Sequence, residues 1–153
     1  MWSFKPKREL STTDLFELIQ LQGDSIEGIT LLGGEPLDQF EEVSELFQLC
    51  KTVGISTMLF TGYEPEEIRE KQMVEILNYT DILITGRYQE RLRTINRQWI
   101  GSTNQEIQFL SDRYRNYELK DSNYVEISID DFGKVEVFGF PTKTLLDKTI
   151  LSD

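Results

Sequence analysis

Three short apolar segments, each followed within two residues by glycine, alternate with two segments of helical periodicity along the first part of the chain. The apolar segments cover residues 29–32, 55–60 and 81–85. Pro36 and Pro65 stand where the two intervening helices begin, a position at which proline's missing N–H breaks no hydrogen bond. Strands and helices that alternate with short connections favour parallel strands joined by helical crossovers. The pattern therefore predicts an α/β fold.

Further elements are predicted on either side of this alternation. Ser11 is placed to cap a helix that ends near Gln22, and the helix that begins at Pro65 is expected to end near Asn78. Residues 105–110 predict a short strand. The alternating segments 124–129 and 134–138, with a turn at 130–133, predict an antiparallel hairpin, followed by a short terminal helix around 145–146. No linker or repeat is present, so we expect a single domain over residues 1–153.

The numbers of cysteine and histidine residues limit the chemistry of these 153 residues. The chain contains one cysteine, Cys50, and no histidine. It therefore lacks the ligands for a Cys/His zinc site or an iron–sulfur cluster, and the general base of a Ser-His-Asp or Cys-His mechanism. A metal bound by this chain alone would need oxygen ligands. Cys50 falls on an apolar helix face and is expected to be an inert core residue.

The charge of the chain is strongly acidic but unevenly distributed. The net charge is -11, from 16 basic and 27 acidic residues, which disfavours nucleic-acid binding. Residues 87–120 instead carry seven basic and four acidic residues, a net of +3. This stretch either docks an acidic partner or offsets the negative charge of the acidic helices. No apolar run reaches membrane-spanning length and no secretory leader opens the chain, so we expect a cytoplasmic protein.

The three predicted strands end in similar glycine-containing segments. These are Leu32-Gly33-Gly34-Glu35-Pro36, Phe60-Thr61-Gly62-Tyr63 and Thr85-Gly86-Arg87-Tyr88. In parallel α/β folds ligands bind beyond the carboxyl ends of the strands, and glycine lets a ligand approach the backbone. The segments therefore predict a ligand-binding rim, although glycine also ends strands for turn geometry alone. Neither a Gly-x-x-x-x-Gly-Lys nor a Gly-x-Gly-x-x-Gly phosphate-binding sequence is present.

The segment Gly33-Gly34-Glu35-Pro36 after an apolar strand resembles the Gly-Gly-Glu-Pro motif of the radical S-adenosylmethionine superfamily. Other segments extend the resemblance to the small activating proteins of anaerobic ribonucleotide reductase and to related single-cluster activases. In chain order they are Trp2-Ser3-Phe4, Arg8-Glu9-Leu10, Thr61-Gly62-Tyr63, Gly86-Arg87-Tyr88, Trp99, Gly101-Ser102-Thr103-Asn104-Gln105 and Gly139-Phe140-Pro141.

The resemblance implies a fold, cofactors and a reaction. The implied fold is a partial (β/α) barrel with a C-terminal β-hairpin. A [4Fe-4S] cluster cleaves S-adenosylmethionine reductively, and the resulting 5′-deoxyadenosyl radical takes a hydrogen atom from a glycine of a partner, a glycyl radical enzyme such as anaerobic ribonucleotide reductase. The full-length protein is then an oxidoreductase.

The resemblance also implies roles for individual residues. Gly33, Gly34 and Glu35 would hold the amino group of S-adenosylmethionine, because carbonyls and carboxylates are acceptors and an ammonium only donates. The alternative for Glu35 is a helix-start carboxylate favoured by the helix dipole. Thr61 and Gly62 would contact the nucleoside or methionine part. Arg87 would face a carboxylate or the partner protein, or is a solvated surface arginine, while Trp99 and residues 101–105 would shape the rim.

The chain departs from the family pattern at its defining element. The family's cluster is held by Cys-x-x-x-Cys-x-x-Cys after the first strand, just before the Trp-Ser-Phe segment, and these 153 residues contain no such sequence. We therefore expect a truncated core that is missing its first strand and cluster loop and is not competent alone. A misplaced gene start, a fragment and a true loss are the possible explanations. Two smaller departures are Thr85, where relatives often have an acid, and Glu106, where a basic residue is common.

Two other interpretations of the chain stay open. One is a cluster-free binding or regulatory domain derived from the same family, and the other is an unrelated flavodoxin-like α/β domain. Without its first strand the sheet would expose an edge beside residues 29–32, and exposed edges pair with other chains. A homodimer or poor solubility is therefore expected.

Overall fold

A four-stranded sheet is the centre of the computed structural model, which describes residues 9–120 and two further strands at 125–129 and 135–139. The strands are β1 (Gly28–Leu31), β2 (Ser56–Phe60), β3 (Ile82–Thr85) and β4 (Glu106–Phe109), and they lie in this order. The first three are parallel, with Leu31 opposite Leu59 and Leu59 opposite Leu83, whereas β4 runs antiparallel to β3. The mixed α/β fold predicted from the sequence is thus confirmed, with an open sheet.

Three α-helices accompany the sheet. They are α1 (Thr12–Gln20), α2 (Phe40–Thr52) and α3 (Pro65–Glu70). Ser11 caps α1 as predicted, because its hydroxyl accepts from the Asp14 N–H at 3.0 Å. Short 3-10 helices lie at Gly23–Ser25, Pro36–Gln39, Val74–Asn78, Glu90–Leu92 and Asp112–Tyr114.

The helix predicted from Pro65 to about Asn78 is in fact two elements. α3 ends at Glu70, and Gln72 adopts a left-handed backbone with φ 59°. The Met73 N–H donates to the Ile68 carbonyl at 2.9 Å and the Gln72 N–H to the Arg69 carbonyl at 3.0 Å. These two bonds are the Schellman pattern that ends a helix, here with glutamine where glycine is usual. A 3-10 helix then covers Val74–Asn78.

One face of the sheet packs against α2, α3 and the 3-10 helices Pro36–Gln39 and Val74–Asn78 through a buried apolar cluster. Its members are Leu37, Val43, Phe47, Leu59, Ile68, Ile76 and Leu83. Cys50 on α2 is fully buried, as predicted for a core residue, and burial raises the pKa of its thiol to about 11. Ile29 and Leu31 of β1 also pack against this cluster, so it holds the three parallel strands together.

A second compact unit contains the segment Tyr88–Asn104 and those described residues that follow from Tyr117. In it the Thr103 N–H donates to the Leu92 carbonyl at 2.9 Å, and the Trp99 ring stacks on Tyr117 at 5.1 Å between centroids. The predicted hairpin is confirmed by antiparallel strands β5 (Val125–Ile129) and β6 (Val135–Gly139). The predicted turn at 130–133 and terminal helix around 145–146 lie outside the described residues. The single domain over 1–153 stays a prediction.

Two findings concern the edge and the surface of the described part. β1 pairs with β2 on one side, and no described strand pairs with its other side. Thr30 and Leu32 are exposed there, Leu32 to 67%. Among the helices of the described residues, none combines the length and the apolar character that crossing a membrane requires.

Candidate functional site

The ends of β1, β2 and β3 lie side by side, and we call this edge the glycine rim and define it as residues 33–35, 61–63 and 86–87. Because the three strands are parallel and adjacent, their carboxyl ends meet at one edge of the sheet. The Gly86 N–H donates to the Tyr63 carbonyl at 3.2 Å, and the Glu35 carboxylate reaches Thr61 and Gly62. All six residues predicted to bind a cofactor therefore lie on this rim.

Gly33 and Gly34 form the exposed part of the rim after β1. Their φ angles are 84° and 57°, in the left-handed region that favours glycine, and a Cβ added to either would meet nothing within 4 Å. Glycine is thus required here by the backbone and not by a lack of space. Within the described part of the chain, the peptide groups of these two residues make no hydrogen bond. Their carbonyl oxygens are therefore available to a donor from outside the protein.

The Glu35 carboxylate is half-buried and receives three hydrogen bonds. Its Oε1 accepts from the Leu37 N–H at 3.0 Å and from the Thr61 hydroxyl at 2.7 Å, and its Oε2 accepts from the Gly62 N–H at 2.7 Å. The bond from Leu37 caps the 3-10 helix Pro36–Gln39, so the helix-start interpretation of Glu35 is confirmed. A carboxylate has about four lone-pair sites, so one site remains, on Oε2.

Thr61 and Gly62 lie beside Glu35 at the end of β2. Thr61 is 4% exposed, and its hydroxyl also accepts from the Tyr63 N–H at 3.1 Å. A Cβ added at Gly62 would lie 3.4 Å from Glu35 Oε2 and 3.4 Å from Arg87 Cγ. The segment is therefore packed between the carboxylate of one strand end and the arginine of another.

Arg87 pairs with a carboxylate of this chain, and its role toward a ligand or a partner protein stays a prediction. Its guanidinium donates to both oxygens of Glu67, at 2.6 and 2.8 Å, although 57% of its side chain is exposed. The Arg87 guanidinium and the Glu64 N–H hold the pKa of Glu67 at about 2, well below its ordinary value. Arg87 thus links the end of β3 to the first turn of α3.

Two cations lie near the Tyr63 ring, which the sequence did not predict. Lys71 Nζ is 5.0 Å and Arg87 Cζ is 5.8 Å from its centroid, both within cation–π range. Its hydroxyl donates to Asp38 at 2.8 Å, and this bond to a carboxylate raises the pKa of Tyr63. The only sequence signal for this residue was its place in the Thr61-Gly62-Tyr63 segment.

The two residues that depart from the family pattern, Thr85 and Glu106, lie opposite each other on neighbouring strands. Thr85 at the end of β3 pairs with Glu106 at the start of β4. Thr85 is fully buried, and within the described residues its hydroxyl has no hydrogen-bond partner. Next to this pair, the Gln105 side chain donates to the Gly86 carbonyl at 3.1 Å, so this residue of the 101–105 segment contacts the rim, and a role of the segment in shaping the rim stays a prediction.

The residues of this chain do not fit an iron–sulfur cluster. Thiolates are the usual ligands, and the single cysteine is Cys50, whose buried thiol has a pKa of about 11. The part of the chain that the structure describes also contains no group of three histidine, cysteine or carboxylate side chains placed to hold a metal ion.

Comparison with known proteins finds a family model that covers the part of the chain that carries the rim. Residues 1–108 match the family model described as "4Fe-4S single cluster domain". The anaerobic ribonucleoside-triphosphate reductase-activating protein of Enterobacteria phage T4 is 38% identical over 86 residues, which are 54% of this chain and 53% of that protein. The protein of the same name from Escherichia coli (strain K12) is 28% identical over 89 residues, 55% of this chain and 56% of that protein.

A third relative has a different partner in its name. The (2S)-3-sulfopropanediol dehydratase activating enzyme of Klebsiella oxytoca is 44% identical over 59 residues, 38% of this chain and 17% of that enzyme. The chain spans about half the length of the activating proteins it matches, and a smaller share of the dehydratase activating enzyme. No solved structure matches the chain.

Proposed function

Because the chain belongs to the 4Fe-4S single cluster domain family, we propose that it is the S-adenosylmethionine-binding part of an activating protein that generates a glycyl radical on a partner enzyme. Anaerobic ribonucleotide reductase is the proposed partner, since two of the relatives carry that enzyme in their names. The observation that carries the proposal is the Gly33-Gly34-Glu35 segment, whose two exposed glycines and anchored carboxylate offer acceptors on one rim.

The rim fits the amino group of S-adenosylmethionine by its chemistry. An ammonium has three donors and no acceptor. The carbonyls of Gly33 and Gly34 and the remaining site on Glu35 Oε2 are three acceptors close together in the chain. When bound beside a reduced cluster, S-adenosylmethionine supplies the radical chemistry of the family. The residues of this chain hold and orient it.

The partial (β/α) barrel belongs to the same proposal. Three parallel strands with helices between them, and a rim at their carboxyl ends, are the features that support it. A strand beside β1 would extend the open sheet in the direction that a barrel requires. The cytoplasmic location stays a prediction.

The cluster ligands must come from residues other than these 153, since one buried cysteine cannot hold a cluster. Reading the gene in frame upstream of the Met1 codon tests this step. We expect a Cys-x-x-x-Cys-x-x-Cys sequence within a short distance. An immediate in-frame stop codon would favour the alternative function, a cluster-free binding or regulatory domain, which the intact rim without cluster ligands supports.

Ligand binding to the chain tests the proposed site directly. Titration calorimetry with S-adenosylmethionine is expected to show binding to the wild-type chain and weaker binding to Glu35→Gln, which loses the negative charge. Glu45→Gln, on the exposed face of α2, is the matched control and is expected to bind as the wild type does. Equal affinity of both variants would contradict the role of Glu35, and no binding to the wild type at millimolar ligand would contradict the site.

A further inference from the structure

We propose that Thr61 is a positioning residue that orients the Glu35 carboxylate so that only Oε2 is offered to the ligand's ammonium group. This inference rests on the proposed S-adenosylmethionine site. It assigns Thr61 a different role from the one implied by the family resemblance, in which Thr61 contacts the nucleoside or methionine part directly.

The distribution of donors around Glu35 distinguishes its two oxygens. Oε1 accepts from the Leu37 N–H at 3.0 Å and from the Thr61 hydroxyl at 2.7 Å, which fills its two lone-pair sites. Oε2 accepts only from the Gly62 N–H, at 2.7 Å. A further donor is therefore accepted best at Oε2.

The Thr61 hydroxyl has no capacity left to donate to a ligand. It carries one proton, which it gives to Glu35, and it accepts from the Tyr63 N–H at 3.1 Å. The side chain is also buried, with 4% exposed. One lone pair of the hydroxyl stays unused, but a side chain this buried does not reach a ligand, so it acts on the ligand through the carboxylate that it holds.

Gly62 complements Thr61 by leaving space beside the ligand-facing oxygen. Its N–H holds Oε2 in place, and the nearest atoms to a Cβ at this position would be Oε2 and Arg87 Cγ, both at 3.4 Å. A side chain here would therefore stand against the oxygen that the ligand has to reach. Threonine followed by glycine thus anchors one carboxylate oxygen and leaves room at the other.

The first test compares two ligands that differ in the amino-acid group. We expect Thr61→Val to bind S-adenosylmethionine about tenfold more weakly, the equivalent of one charge-assisted hydrogen bond, and to bind 5′-methylthioadenosine, which lacks the ammonium, as the wild type does. Thr61→Ser, which keeps the hydroxyl, is expected to restore the affinity. Thr52→Val, at the exposed end of α2, is the matched control. Unchanged affinity of Thr61→Val for S-adenosylmethionine, or equal losses for both ligands, would overturn the proposal.

The second test needs no ligand. Amide hydrogen exchange measured by NMR is expected to accelerate at Leu37 and Gly62 in Thr61→Val, because the carboxylate that accepts from both amides loses an anchor, and to stay unchanged in Thr61→Ser. If Thr61→Val does not fold, Thr61→Ala, which adds no volume, takes its place. If the wild type binds no S-adenosylmethionine, the proposed function fails, while unchanged exchange at both amides would refute the role of Thr61 independently.

Discussion

Different physical constraints determine which residue stands at Gly33, Glu35 and Cys50. Gly33 is required by its backbone angle, Glu35 by the donors around it, and Cys50 by the volume of the core. The first could be predicted from the sequence as a glycine after a strand. The bonds to Glu35 from Thr61 and Gly62 could not, because these residues lie 26 and 27 residues further along the chain, beyond any local pattern.

Replacing Gly33 by alanine is expected to destabilise the protein by about 1 to 2 kcal/mol, because an L-residue at φ 84° brings its Cβ against its own backbone. Urea unfolding of Gly33→Ala measures the change. Gly62→Ala serves as the control, since this glycine has no positive φ and its added Cβ would make ordinary contacts. A smaller loss for Gly33→Ala than for Gly62→Ala would show that the left-handed backbone is not the constraint.

Cys50 is expected to react slowly with thiol reagents in the native protein. Only the thiolate is nucleophilic, and with a pKa of about 11 the buried thiol is almost entirely protonated at neutral pH. Labelling with a chromogenic disulfide reagent, before and after unfolding in urea, measures this. Fast labelling of the native chain would contradict the burial of Cys50.

Among helices and strands, the sequence predicts best those elements whose bounds are marked by neighbouring residues. β1, β2 and β3 were predicted within one residue at each end, because an apolar run bounded by glycine is a local property. The end of α3 was missed, because Gln72 takes a left-handed conformation that carries no glycine signal. The antiparallel direction of β4 was not predicted either, since it depends on which neighbour the strand finds.

Gln72→Gly is expected to stabilise the protein by about 0.5 kcal/mol, because glycine adopts the left-handed position after a helix without strain. Thermal unfolding followed by circular dichroism measures the shift. Gln72→Ala removes the same side chain but keeps a Cβ, and we expect no gain from it. Stabilisation by both variants would point to the side chain instead of the backbone.

The edge of β1 is expected to promote association between chains, because its outer hydrogen-bonding groups face no described strand. Light scattering over a range of concentrations should detect a homodimer or larger species. Thr30→Lys, which puts a charge on the exposed edge strand, is expected to reduce association, and Thr52→Lys on α2 is expected not to. A wild-type chain that stays monomeric throughout would refute this prediction.

Across the whole molecule, the basic stretch at residues 87–120 contacts an acidic helix through one of its arginines, Arg87. Arg87 bonds Glu67, Arg113 donates to the Gly54 carbonyl at 2.7 Å, and Arg115 pairs with Asp112. The pair of Arg87 and Glu67 favours a charge-balancing role for Arg87, whereas the Gly54 carbonyl is uncharged and Asp112 belongs to the stretch itself. Docking of an acidic partner stays an alternative for the remaining arginines.

The pair of Arg87 and Glu67 is expected to make stability sensitive to acid. The folded-state pKa of Glu67, about 2, lies below its ordinary value of 4.5. Its stabilising effect is therefore complete above about pH 4.5 and is lost as the pH falls toward 2. Urea unfolding at a series of pH values is expected to show the difference between wild type and Arg87→Gln shrinking across this window. Arg69→Gln, whose partner Glu66 is 71% exposed, is the control, with little expected difference at any pH. A constant difference for Arg87→Gln would contradict the ion pair.

The bonds that join Glu35 to Thr61 and Gly62 also have a consequence for folding kinetics. They close a loop of 26 residues that contains all of α2 and β2, so no local segment can form the rim by itself. The acceptors for an ammonium are oriented only after the crossover from β1 to β2 has closed. A ligand that binds these acceptors therefore stabilises only the state in which the connection from β1 to β2 is already formed. It slows unfolding and does not change the rates of the earlier folding steps.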